Sequence, residues 1–155
     1  MNLYRRWSEK WNEDRTRIPK GPYSLRCIEA SYTTSREWGE KGWLLFEVVE
    51  GDRRGEQIPM FFNLPRGGKG KIDENGRISQ GSNYYLAWGI ANGNRKPTRA
   101  RLKEMAISKF KGKVFLGVVV DSIPRFNGPD SPDQPEFTHY SRVKLLQELI
   151  MRDTY

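Results

Sequence analysis

The feature that most limits the possible folds is the shortness of the apolar segments. Apolar runs such as residues 43–46 are interrupted by glycine, proline and charged residues before they reach helix or membrane-span length. Short apolar runs between turn-forming residues are typical of β-strands, whereas a transmembrane helix needs about 20 apolar residues. Five segments fit a strand, at residues 23–32, 43–50, 56–64, 113–123 and 137–143. The sequence therefore predicts a mainly β protein.

The strands differ in their expected environment. In the first, Leu25 and Cys27 alternate on one face, which predicts that both are core residues. Residues 51–55 (GDRRG) have the composition of a hairpin turn between the second and third strands. Pro59 cannot donate a ladder hydrogen bond, so the third strand is expected at a sheet edge or bulge. The fourth strand is almost entirely apolar, which predicts a central, buried position.

Helices are predicted where apolar residues recur at helical spacing. The four predicted helices cover residues 4–15, 83–92, 99–111 and 144–151. The first has an aromatic stripe, Tyr4, Trp7 and Trp11, which favours docking onto the domain over ligand binding. The third has Thr98 as its expected N-cap and carries a basic face, which is either a second contact surface or a solvated face.

Three strands, a helical insertion and two further strands form the element order of an OB-fold. We therefore predict a five-stranded OB-fold-like β-barrel with helices: a helical insertion between strands 3 and 4, and terminal helices. An SH3-like barrel and an α+β sandwich are the alternatives. Residues 1–22 are expected to form an N-terminal helical extension, and residues 23–155 a single OB-like domain.

The charge of the chain favours a polyanionic partner. The net charge is +8, and the sequence pI is about 9.7. Most of the excess lies in residues 81–112, which hold seven Lys/Arg and one acidic residue, Glu104. A basic excess of this kind is typical of proteins that bind nucleic acid.

Catalysis, metal binding and cofactor binding have no support in the sequence. A single cysteine, Cys27, and a single histidine, His139, cannot form an internal disulfide or a four-ligand zinc site. No known hydrolase, metalloprotease or phosphate-loop motif occurs. The lone cysteine fits a reducing compartment, and residues 1–7 lack the apolar region of a signal peptide, so we expect a non-enzymatic, cytoplasmic protein without a membrane span.

The candidate binding residues are aromatic and basic side chains on and around the second and third strands. The expected base-stacking residues are Trp38, Trp43, Phe46 and Phe61. Trp43 and Phe46 fall on opposite faces of one strand, so at most one of them can stack and the other belongs to the core. The expected phosphate contacts are Arg26, Arg36, Lys41, Arg53, Arg54, Arg66, Lys69 and Lys71.

Two stretches, residues 42–51 (GWLLFEVVEG) and 55–64 (GEQIPMFFNL), resemble the hairpin of strands two and three in a family of small phage and mobile-element proteins. Residues 110–115 (FKGKVF) are similar to that family's entry into strand four. The family is largely a domain of unknown function, thought to consist of single-stranded-DNA-binding OB proteins. The resemblance implies an OB-fold and single-stranded DNA binding, in the context of replication or recombination.

The leading hypothesis is therefore a single-stranded nucleic-acid-binding protein that stacks bases on aromatic residues and contacts phosphates through Lys and Arg. A stacking surface accepts DNA and RNA alike, so both stay open. The alternative is a protein-interaction module that grips a component of a nucleoprotein complex, such as a replication or recombination protein. An accessory domain of a nucleic-acid enzyme is a third hypothesis.

Overall fold

A computed structural model of the chain describes residues 17–35, 39–64, 77–101, 104–122 and 140–151. The fold is mainly β, with one five-stranded antiparallel sheet and few helices. The strands are β1 Gly21–Ser35, β2 Gly39–Val48, β3 Gln57–Leu64, β4 Val114–Ser122 and β5 Tyr140–Met151. Between β3 and β4 lie one α-helix, α1 Asn83–Ala91, and one 3-10 helix, Ile107–Phe110. Five strands with a helical insertion after the third confirm the predicted element order.

The sheet has the strand order β3-β2-β1-β4-β5. The central strand, β1, pairs with β4 along its first half and with β2 along most of its length. A register shift between Cys27 and Glu29 bends it where the two pairings overlap. The edge strands β3 and β5 come into contact with each other, but among the described residues the sheet is not closed. The predicted closed barrel is therefore not confirmed.

The hairpin between β2 and β3 follows its sequence. Gly51 has a φ of 83° and Gly55 a φ of 93°, backbone conformations that residues with a Cβ adopt only at a cost. The Gly55 N–H donates to the carbonyl of Val48 at 2.8 Å, which closes the turn. The strand with Pro59 is an edge strand, and β4 lies between β1 and β5, as predicted.

The hydrophobic core lies on one face of the sheet, under α1 and the 3-10 helix. Leu25 and Cys27 are both fully buried there, as their alternation predicted. Tyr84 of α1 packs its ring edge-on against Phe62, with ring centroids 5.2 Å apart, and also contacts Phe110. Phe110 in turn contacts Phe115 of β4. This aromatic chain joins the helical insertion to the sheet.

Helix α1 begins at Ser82, whose Oγ accepts a hydrogen bond from the Tyr85 N–H at 3.1 Å. It ends where Gly93 and Asn94 take positive φ values of 73° and 64°. The observed span agrees with the predicted helix over residues 83–92. The buried residues of α1 include the aromatic side chains Tyr84 and Trp88.

The predicted C-terminal helix over residues 144–151 is wrong, because these residues belong to strand β5. Its ladder with β4 contains three register shifts. The partner of Val119 is Val143 and the partner of Val118 is Leu145, so Lys144 is an extra residue; Gln147 and Ile150 are skipped in the same way. An extra residue at every third position gives a bulged strand the apolar spacing of a helix.

The predicted basic helix over residues 99–111 is also wrong. The N–H of Ile78 donates to the carbonyl of Ala100 at 2.6 Å, and Arg101 forms an isolated antiparallel bridge with Arg77. These pairings hold residues 100 and 101 in an extended conformation. Ala106 is extended as well, with φ −63° and ψ 136°, and only the short 3-10 helix follows it. Apart from the 3-10 helix, the described residues of this segment form an isolated bridge, bends and turns.

The start of the described chain is attached to β5 by a buried serine. The Oγ of Ser141 accepts from the N–H of Ile18 at 2.8 Å and donates to the carbonyl of Ile18 at 3.2 Å. The predicted helix over residues 4–15, and with it most of the predicted extension 1–22, lies outside the described residues. Within the described residues, no helix is both long enough and apolar enough to cross a membrane.

Candidate nucleic-acid interface

Strands β1 to β3 have an outer face directed away from the core, because successive side chains alternate between the two faces of a strand. The register places Trp43 of β2 between Ser31 of β1 and Phe61 of β3 on this face. The neighbouring rows are Glu29–Leu45–Pro59, Thr33–Lys41–Asn63 and Arg26–Glu47–Gln57. Six predicted site residues therefore lie on the outer face or on the hairpin at its end, whereas Phe46 lies on the opposite face: Arg26, Lys41, Trp43, Arg53, Arg54 and Phe61.

Phe46 is a core residue. It is fully buried and packs edge-on against Phe115, with ring centroids 6.1 Å apart and planes at 86°. Its prediction as a base-stacking residue is wrong, because β2 points it into the core while directing Trp43 outward. The expectation that these two aromatic residues lie on opposite faces is correct.

Trp43 lies on the outer face but offers little surface. Its side chain is only 4% exposed, and its outer-face neighbours Leu45 and Pro59 are buried too. A base needs an open ring face to stack, so Trp43 does not provide one in this conformation. Phe61, opposite Trp43 on the edge strand, is half-buried and retains exposed ring surface.

The cations around this face are either half-buried or close to acidic residues. Arg26 and Lys41 are half-buried, and the Arg26 Nε is buried without a hydrogen-bond partner in the described chain. Arg53 and Arg54 are exposed on the hairpin. The same hairpin carries three acidic residues, Glu50, Asp52 and Glu56, which outnumber its two arginines. A cleft of about 550 Å³ beside the hairpin is lined by Arg53 together with Glu50 and Asp52.

Five predicted contacts lie outside the described residues: Arg36, Trp38, Arg66, Lys69 and Lys71. The part of the candidate interface that lies within the described residues consists of Arg26, Lys41, Trp43, Arg53, Arg54 and Phe61.

The strongest concentration of cations lies elsewhere, in residues 92–101 and 104–113, which we call the basic segment. Six of its Lys and Arg side chains are exposed: Arg95, Lys96, Arg99, Arg101, Lys109 and Lys111. Glu104 is its only acidic residue. Within the described chain, none of the six exposed side chains forms a salt bridge, so their charges are not compensated locally.

The basic segment borders a cavity of about 660 Å³, open to solvent, against the C-terminal end of α1. Its lining includes Trp88, Lys96, Glu104, Lys109, Lys111 and Lys113. The sequence indicated the charge of this region but not the cavity, because the cations were assigned to the solvent face of a helix. The sequence signal for this site was the cluster of seven Lys/Arg with a single Glu in residues 81–112.

Side chains from α1 hold one wall of the cavity in place. The Tyr84 hydroxyl donates to the carbonyl of Met105, and the Trp88 Nε1–H donates to the carbonyl of Ala106 at 3.1 Å. The Lys113 ammonium donates to the carbonyls of Ala91 at 3.1 Å and Lys109 at 2.6 Å. In an α-helix, the carbonyls of Met105, Ala106 and Lys109 would accept from backbone N–H groups of the same helix. Here side chains donate to them, so these bonds fix the wall without a regular α-helix.

Cys27 does not supply a reactive group to either surface. Burial raises the pKa of the Cys27 thiol from 9.0 to about 12, and a hydrogen bond to Glu29 and the charge of Lys111 offset this only in part. The thiol therefore remains protonated and buried at neutral pH. Burial also raises the pKa of the Tyr84 phenol, which keeps the hydroxyl available as a hydrogen-bond donor.

Comparisons with known proteins identify no relative: no family model matches the chain, and neither curated proteins nor solved structures show significant similarity to it.

Proposed function

We propose that this protein binds single-stranded nucleic acid without catalysing a reaction. The observation that carries the proposal is the set of six exposed, locally uncompensated cations on the basic segment. Uncompensated Lys and Arg side chains attract polyanions, and binding releases the counterions condensed on the phosphates. The net charge of +8 acts in the same direction over longer distances.

The strand arrangement supports an OB-type fold for this function. An OB-fold is a partly open, five-stranded barrel that binds oligonucleotides on the face of strands 2 and 3. Here the central strand β1 bends at a bulge and pairs on both sides, and the edge strands β3 and β5 are in contact. We take the sheet to be an OB-type barrel left open between these two strands.

Phe61 is the described residue best suited to stack a base on the β2–β3 face, with Lys41 nearby for a phosphate. The basic segment packs on the core side of the sheet, and its charge is less neutralised by acids than that of the hairpin, so it would form a second surface for phosphates. Because stacking and phosphate contacts carry little sequence information, we expect weak base preference and binding to both DNA and RNA.

The test compares matched double variants in fluorescence anisotropy titrations with a labelled oligo-dT of about 30 nucleotides. Lys109→Ala/Lys111→Ala removes two cations from the basic segment, and Arg53→Ala/Arg54→Ala removes two from the hairpin. Lys20→Ala/Lys144→Ala removes two exposed lysines elsewhere and is the control for net charge. We expect the first pair to weaken binding by roughly tenfold and the control pair by much less. Equal effects of all three pairs would mean that only net charge matters, which would contradict a specific interface on the basic segment.

A protein partner is the second candidate function, favoured by exposed apolar side chains on β5 and α1. Leu145 and Ile150 on the edge strand β5 are 41% and 45% exposed, and Leu86 on α1 is 56% exposed. A replication or recombination protein bound at this side would fit the alternative of an interaction module. Capture of one defined partner that survives nuclease treatment, and is lost in Leu145→Ser/Ile150→Ser, would support it.

A further inference from the structure

The cavity beside the basic segment has lysine side chains that lack partners among the described residues. No salt bridge or hydrogen bond in the described chain involves the ammonium groups of Lys96, Lys109 or Lys111, which all line the cavity. Lys113 adds a fourth ammonium group, which two carbonyls hold in place. Four lysines along one open cavity form a site for an anion of more than one charge.

Among the described residues, the same cavity is lined by one acidic side chain, Glu104. Its Oε2 is buried and has no hydrogen-bond partner in the described chain, which is unusual for a carboxylate oxygen, whereas the residue as a whole is partly exposed. Since a carboxylate only accepts, a ligand group beside Glu104 must offer an N–H or O–H group.

The two requirements together describe a nucleoside phosphate. A phosphate satisfies the lysines, and a sugar hydroxyl or a base amino group can donate to Glu104. A terminal phosphate carries a charge of about −1.5 to −2 at neutral pH, whereas an internal phosphodiester carries one negative charge, so several lysines favour the terminal group. A cavity of about 660 Å³ lies within the range of small-molecule sites.

We propose that this cavity binds a nucleoside phosphate, supplied by the phosphorylated end of a strand or by a free mononucleotide. The strand-end version rests on the proposed nucleic-acid binding, whereas the mononucleotide version does not. Lys96, Lys109 and Lys111 bind the phosphate, and Glu104 accepts from the nucleoside. The wall that carries Lys109 is held by the bonds from Tyr84 and Trp88 to the carbonyls of Met105 and Ala106.

The experiment titrates the full chain with three 12-nucleotide oligo-dT strands that carry a 5′-phosphate, a 3′-phosphate or no terminal phosphate. We expect one phosphorylated strand to bind roughly tenfold more tightly than the unphosphorylated strand. Lys109→Ala/Lys111→Ala should abolish this preference, and Lys20→Ala/Lys144→Ala should retain it. Urea unfolding of each variant verifies that the fold is intact.

A second arm uses dAMP and inorganic phosphate as probes, followed by changes in amide chemical shifts. We expect Glu104→Gln to lower the ratio of dAMP affinity to phosphate affinity, because the loss of negative charge favours the phosphate group of both probes while the acceptor for the nucleoside of dAMP weakens. A merely structural role for Glu104 would leave that ratio unchanged.

Different failures have different meanings. If all three strands bind equally and Lys109→Ala/Lys111→Ala changes nothing, the cavity proposal is wrong and nucleic-acid binding stands. If no strand binds, the proposed function is wrong, and dAMP binding alone then decides the cavity. Binding of dAMP that the double lysine variant abolishes would uphold the mononucleotide version, and absence of dAMP binding would overturn it.

Discussion

Replacement of Tyr84 by Phe tests the attachment of the basic segment to helix α1. The ring contacts with Phe62 and Phe110 remain, because Phe keeps the aromatic ring, and only the hydroxyl is lost. The Tyr84 hydroxyl donates to the carbonyl of Met105, a residue that is fully buried. Loss of the donor leaves that carbonyl without this partner, which costs about 1–3 kcal/mol of unfolding free energy.

The assay is urea unfolding at neutral pH, followed by tryptophan fluorescence. We expect the midpoint for Tyr84→Phe to fall by about 1 M with an unchanged slope, since the same surface is exposed on unfolding. Tyr85→Phe is the matched control: Tyr85 is the next residue of the same helix and is half-buried, and no hydrogen bond from its hydroxyl exists in the described chain. Its unfolding free energy should stay within about 0.5 kcal/mol of the wild-type value.

Alkaline pH provides a second readout of the same contact. Burial raises the pKa of the Tyr84 phenol above its ordinary value of 10.0, so the folded state keeps a proton that the unfolded chain releases. The stability linked to this proton is fully present below pH 10 and is lost as the pH rises further. The difference in unfolding free energy between wild type and Tyr84→Phe should therefore shrink above pH 10. Equal stabilities of Tyr84→Phe and Tyr85→Phe at neutral pH would refute the buried hydrogen bond.

Three further outcomes are expected. Cys27 should resist a thiol reagent at pH 8 until the protein unfolds, because burial raises its pKa from 9.0 to about 12. Ser141→Ala should lower the unfolding free energy by about 2–4 kcal/mol, since it leaves the buried N–H and C=O of Ile18 without their partner. Gly55→Ala should cost about 1–2 kcal/mol through its φ of 93° alone, because no atom lies within 4 Å of the added Cβ.

The two substitutions, Ser141→Ala and Gly55→Ala, each have a matched control on the chain. Ser24→Ala removes an exposed hydrogen bond to Glu50 and should change stability by less than about 1 kcal/mol. Gly81→Ala adds a Cβ in open space without a positive φ, so it should be close to neutral. Rapid labelling of folded Cys27, or equal costs within either matched pair, would contradict the environments described for these residues.

The parts of the fold that the sequence predicted depend on local signals. Glycines at both ends of the β2–β3 turn take positive φ, and the apolar residues of β4 indicated its position between two other strands, so both features were readable without the structure. The burial predicted for β4 is complete on one face only, because Leu116, Val118 and Val120 are half-buried. The alternation of Leu25 and Cys27 likewise identified their shared core face.

The missed elements depend on long-range pairing. Extra residues at positions 144, 147 and 150 in β5 exist only relative to the register of β4, and they produce the apolar spacing of a helix in a strand. The basic segment has helical spacing too, but its carbonyls at Met105 and Ala106 are bonded to Tyr84 and Trp88. Neither the register with β4 nor the hydrogen bonds from Tyr84 and Trp88 can be recognised from the local sequence.

The sequence predicted which types of residue form the candidate site better than it predicted where they lie. Strand alternation assigned Trp43 and Phe61 to the outer face, but it cannot show that Trp43 is only 4% exposed there. The charge pattern located the excess of cations in residues 81–112, while the cavity that four of the lysines share appears only once the chain is folded.

The salt dependence of oligonucleotide binding tests the central claim most directly. We would titrate labelled oligo-dT of about 30 nucleotides at several salt concentrations from about 50 mM upward. Each phosphate contact on a single strand contributes a slope of about −0.7 in a plot of log K against log salt, so six cations set a limit of about −4. We expect a slope of about −2 to −4, which Lys109→Ala/Lys111→Ala makes less negative. Absence of binding at the lowest salt concentration would contradict the claim that this protein binds nucleic acid.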